Sequence, residues 1–99
     1  MLTMVKKPLK IGHFEKRIVM LITSANAARG GTIRSLAAAS GISRARIDRI
    51  LRGAASMSAT DLQSICDALG LVPWKVALAA ETGRTYEEVV ADLDGEPVA

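Results

Sequence analysis

The chain holds one cysteine, Cys66, and one histidine, His13, so it can form neither an intramolecular disulfide nor a cysteine-based zinc site. A lone thiol fits a reducing interior. Aromatic residues are just as scarce, with one Trp, one Tyr and one Phe. That poverty argues against a β-sandwich or barrel, whose strands favour aromatic and β-branched side chains. No apolar run approaches the about 18 residues that a membrane span needs, so no membrane partner is expected. Lysines and Arg17, then Ile18–Ile22, then Ala25-Asn26-Ala27 mimic a signal peptide and its cleavage site. The apolar block is only five residues long, however, and a cut there would remove an amphipathic segment that the core needs. A cytoplasmic protein is expected. There is no Ser/His/Asp set, no metal cluster and no Gly-rich phosphate loop, and Gly30-Gly31 reads as a turn. The chain is read as no enzyme, with no cofactor.

What is present is aliphatic residues and segregated charge. Over 99 residues, 49 % are apolar, mostly Ala, Leu, Ile and Val, and 23 % are charged. This is one small globular domain, long enough to bury a core without covalent staples. The net charge of +3 conceals a division between the halves. Residues 1–52 carry eleven of the thirteen bases and two acids, Glu15 and Asp48, a balance of +9. Residues 53–99 carry two bases and eight acids, a balance of −6. One half is suited to a polyanion, and the other would be repelled by it.

Apolar spacing and capping residues predict an all-α chain. Residues 1–11 have no helical period and read as a flexible basic arm containing Lys6, Lys7 and Lys10. From Phe14, apolar residues at 14, 18, 21, 22 and 25 form one helical stripe, ended by Gly30-Gly31. A strand over Arg17–Thr23 competes with it, because that run is rich in β-branched residues. Thr32 caps a short second helix that Gly41 stops, and Ser43 caps a third that Gly53 closes. Ser58 and Asp61 form a capping box for a fourth helix, with Leu62, Ile65, Cys66 and Leu69 facing inward. Pro73 opens a fifth, with Trp74, Ala77 and Leu78 available for packing. Thr85 and Glu88 form another box for a sixth, whose stripe is Tyr86, Val89, Val90 and Leu93. The division expected is an arm over 1–11, a helical domain over 12–82, and a C-terminal helix with an acidic tail over 83–99.

The informative stretch is Thr32 to Gly53. Two short helices joined by a glycine turn cross steeply, as in a helix-turn-helix. Ile42, Ile47 and Ile50 would bury inside that corner, while Arg44, Arg46 and Arg49 project from the other faces of the third helix. Such a helix fits the roughly 12 Å major groove of B-DNA.

The residues Leu36-Ala37, Gly41-Ile42-Ser43, Ile47, Ile50 and Arg52-Gly53, followed by Ala68-Leu69-Gly70, resemble the lambda-repressor/Cro-like (XRE-type) helix-turn-helix proteins over roughly residues 14–81. The resemblance implies a compact five-helix bundle, here with a short sixth helix, that binds operator DNA as a two-fold dimer. It places base-reading positions on Arg44, Ala45 and Arg49. Arginine suits bidentate pairing with guanine, and the Ala45 methyl suits a thymine methyl. It places phosphate contacts on Thr32 and Ser43 at helix starts, and on Arg46 near the flanking backbone. The family often has Gln directly after the threonine; Ile33 cannot replace it, which leaves Arg34 or Arg52 to hold that phosphate. Apart from the resemblance, the basic arm with Lys6, Lys7 and Lys10 reads either as a mere tail or as a segment that tracks the backbone or the minor groove.

The function expected is therefore a sequence-specific regulator of transcription, a dimeric repressor reading an inverted repeat in double-stranded DNA. Tyr86, Val89, Val90 and Leu93 are the expected homodimer contacts, unless they fold back on their own core. The alternative is a DNA-binding antitoxin whose acidic C-terminal half masks a basic protein partner.

Overall fold

The computed structural model describes residues 12–94, which form six α-helices and no strand. They are α1 (His13–Ala28), α2 (Ile33–Ser40), α3 (Arg44–Leu51), α4 (Ala59–Leu69), α5 (Pro73–Thr82) and α6 (Tyr86–Asp94). The arm at residues 1–11 lies outside the described residues, as does the tail beyond residue 94.

Helix boundaries follow the local chemistry. Thr32 Oγ1 accepts from the Ser35 amide at 3.0 Å, and Ser35 Oγ accepts from the Thr32 amide at 2.8 Å. The same reciprocal box joins Ser58 to Asp61 before α4 and Thr85 to Glu88 before α6. Each box satisfies two backbone donors that a helix start leaves without partners. Between α2 and α3, Gly41 adopts φ +76°, with open space where a Cβ would stand. Glycine is needed there for its backbone freedom and not for room.

The competing strand over Arg17–Thr23 does not form; the segment lies within the sixteen residues of α1. A 3.6-residue period lets Ile18 and Ile22 bury together on one side, with Leu21 and Ala25 packed against the same core. The core joins those residues to Leu36, Ala37, Ile47, Ile65, Cys66, Leu69, Val76 and Ala80. Helix α1 packs on α5, α3 and α4, while α2 packs on both α3 and α4. No polar or charged residue among those described is buried. Burial pushes the Cys66 thiol up to about 11, so it stays protonated at neutral pH, as a small apolar core residue.

Two expectations about facing need correction. Phe14 does not join the core stripe; it is 43 % exposed, in the first turn of α1, at the edge of a groove shared with Met57, Ala59 and Leu62. In α5 the buried residues are Val76, Ala79 and Ala80, whereas Trp74 is 58 % exposed. Nearly every position from Pro73 to Ala80 is apolar, so the sequence offers little contrast to phase that helix. Two alanines allow α5 to approach its neighbours closely, and Trp74 instead lies under Lys75, whose Nζ is 5.6 Å from the ring centroid. The α6 stripe is divided. Val89 is buried and Tyr86 packs on the core, its hydroxyl accepting from the Val72 amide at 2.9 Å. Leu93 remains exposed.

Candidate nucleic-acid interface

Helix α3 has eight residues, and its two faces are chemically opposite. Ile47 and Ile50 are fully buried, three residues apart, and hold the helix on the core. Arg44, Ala45 and Arg49 are exposed. This division follows from helical periodicity with isoleucine on one side and arginine on the other. Among the described residues, the side chains of Arg34, Arg44 and Arg49 make no hydrogen bond or ion pair, so their guanidinium groups face solvent.

Arg44 and Ala45 line one groove of about 480 Å³ with Ile33, Arg34 and Asp48. The start of α2 and the start of α3 therefore open on the same concavity. At the start of α2, the Thr32 and Ser35 hydroxyls are committed to their box, while the amides of Ile33 and Arg34 have no partner among the described residues. Ser43 caps α3 by accepting from the Arg46 amide at 3.2 Å. Ile33 packs against the core.

Two arginines expected to contact phosphate are already engaged. Arg52 Nη2 lies 2.8 Å from Asp48 Oδ2, one helical turn back. Arg46 does not project outward; its guanidinium turns toward α4, pairs with Asp61 and reaches the Ser56 carbonyl at 3.4 Å. Lys6, Lys7 and Lys10 lie outside the described residues.

Sequence reasoning missed the roles of three acids. Asp48 is the one carboxylate lining the Arg44–Arg34 groove. Asp61 was read only as a cap, and Glu15 had no reading at all. Glu15 accepts from the Met57 amide at 2.6 Å and from the Ser56 hydroxyl at 3.2 Å, pinning the segment after α3 to α1. Fifteen and forty-one residues separate the side-chain partners in these contacts, beyond any helical period.

The charged contacts have a consequence in acid. The Arg46 guanidinium holds the Asp61 carboxyl below the usual carboxylate range, and the Thr85 amide does the same for Glu88. A lowered folded value means stability that is present above the unfolded value, about 4, and lost as pH falls through the folded one. The thermal midpoint should therefore fall between about pH 5 and pH 2, and Asp61→Asn should flatten that decline. Identical profiles for the two proteins would remove Asp61 from the account.

Comparison with known proteins agrees with this geometry. Residues 24–73 match the Cro/C1-type HTH DNA-binding domain, a span running from the second half of α1 to the start of α5. Among solved structures, the clp gene regulator ClgR from C. glutamicum is 30 % identical with a TM-score of 0.63, over 78 % of this chain and 95 % of that one. A second structure, of ClgR from Corynebacterium glutamicum, is 28 % identical with a TM-score of 0.63, covering 90 % and 88 % of the two chains. No curated protein matches. The matched residues are those that build the glycine turn and the arginine-faced helix, and the chain belongs to the Cro/C1-type helix-turn-helix DNA-binding family.

Proposed function

We propose that this protein is a sequence-specific regulator of transcription, a cytoplasmic homodimeric repressor that reads an inverted repeat in double-stranded DNA. The carrying observation is that Arg44 and Arg49 stand exposed and unpaired on a helix whose opposite face is fully buried. Such a helix can enter the major groove without unfolding anything, and its guanidinium groups match guanine O6 and N7. Arg34 and the open amides of α2 would take a backbone phosphate beside it. Lys6, Lys7 and Lys10 would add non-specific attraction. Binding would repress by occupying the site that polymerase needs, with no reaction and no cofactor.

A dimer would place two copies of α3 about 34 Å apart on one face of the duplex. Val90 and Leu93 are the members of the α6 stripe left for contact with a second copy, since Tyr86 and Val89 serve their own core. The antitoxin alternative would draw on the acids that stand exposed, Glu81 and Glu87, because four others are already engaged. Asp61 pairs with Arg46, Asp67 accepts from Gln63, Glu88 caps α6, and Asp92 pairs with Arg84.

Selection of bound duplexes from a random pool at two salt concentrations tests the proposal, with sedimentation of the recovered complex. The expected result is an inverted-repeat consensus, two protein chains per duplex, and binding that weakens steeply with salt. A pool that stays random would overturn specific reading, and a one-chain complex would overturn the dimer.

A further inference from the structure

We infer that Arg46 is a positioning residue for α3: it fastens that helix to α4 through Asp61 and to the Ser56 carbonyl before it, and contacts no DNA phosphate. The inference rests on the DNA-reading function proposed above. Arg46 Nε faces Asp61 Oδ1 at 3.5 Å while Nη2 pairs with Asp61 Oδ2, a two-pronged arrangement that fixes direction as well as distance. Both groups are partly shielded, with side chains 36 % and 13 % exposed.

The anchor is itself held from two sides. Asp61 Oδ2 accepts from the Ser58 amide at 3.0 Å in the box that starts α4. The segment before it is held to α1 by Glu15, through the Ser56 hydroxyl and the Met57 amide. Helix α3 packs on α2 and α1, and the Arg46 pair is its charged tie to α4. Eight residues give α3 little rigidity of its own. Arg44 and Ala45, two positions and one position before Arg46, therefore depend on this tie for their aim.

A phosphate contact through the Nε–Nη2 edge would require Arg46 to leave Asp61. That would leave a carboxylate unpaired beside an incoming polyanion. Both changes oppose binding.

The test compares wild type, Arg46→Met, Arg46→Lys, Asp61→Asn and the Arg46→Met/Asp61→Asn double variant on the duplex recovered by selection and on an unrelated duplex. Asp61→Asn keeps the cap acceptor and the side-chain shape, and Arg46→Lys keeps the charge without the fork. Positioning predicts that each single variant loses on the order of tenfold in affinity for the selected duplex. The double variant should then be no weaker than the singles, the salt dependence should stay that of wild type, and binding to the unrelated duplex should not change. A phosphate role predicts the opposite pattern. Arg46→Met would lower the slope of log K against log salt by about 0.9, and Asp61→Asn would bind as well as wild type or more tightly. That pattern would overturn the inference. Amide exchange of α3 in the DNA-free protein separates the two proposals. Loss of protection in Asp61→Asn and Arg46→Met supports the tie even if no duplex is selected, and unchanged protection refutes it.

Discussion

Replacing Ile47 with alanine is expected to lower the unfolding free energy by about 2–5 kcal/mol, measured by urea titration. Ile47 is fully buried, in the core that joins α1 through α5. Truncation removes three buried carbons and leaves a cavity that rigid neighbours fill only in part. A domain of this size has a total stability of about 5–15 kcal/mol, so the loss is a large share of it. The functional effect should be uniform. Where the remaining stability drops below about 1 kcal/mol, specific and unrelated DNA should bind more weakly in the same proportion, because the folded fraction falls while the reading face is unchanged in composition. Saturating duplex should restore folding by mass action. Ile47→Val should cost only about 0.5–1.5 kcal/mol. A loss below about 1 kcal/mol for the alanine variant would mean that α3 is not held by its isoleucines.

Arginine variants on the outer face should behave in the reverse way. Arg44→Ala and Arg49→Ala are each expected to reduce preference for the selected duplex over an unrelated one by about 1–3 kcal/mol. Neither residue has a partner among those described, so the unfolding free energy should move by no more than about 0.5 kcal/mol. Lysine at either position should not rescue discrimination, since an ammonium is a point charge without the planar fork that spans O6 and N7. Competition binding at fixed salt reads the difference. Full discrimination in both variants would show that the outward face of α3 does not read bases.

These two sets of variants lie on one eight-residue helix, which explains how much was legible beforehand. Isoleucine and arginine are far apart in hydrophobicity, and their spacing at 44, 47, 49 and 50 leaves one arrangement that buries the first and exposes the second. The starts of α2, α4 and α6 were legible for a similar reason. Each capping residue acts on a backbone amide only three positions away. Glycine at position 41 marked the turn because φ +76° is strained for any residue with a side chain.

Where contrast was missing, the reading failed. Helix α5 is almost uniformly apolar, and only packing could show that Val76, Ala79 and Ala80 face inward while Trp74 and Leu78 do not. The α6 stripe had the right period, yet period does not say what covers a face. Its own chain covers Tyr86 and Val89.

Sequence alone established the helices, their caps, the glycine turn and the arginine-faced helix, because these depend on neighbours within about one turn. Folding in three dimensions chose the partners of the charges. It turned Arg46 toward Asp61, drew Glu15 to the segment after α3, and left Arg44 and Arg49 open. Such choices depend on which distant segments the core brings within about 4 Å of one another, and no local period encodes that distance.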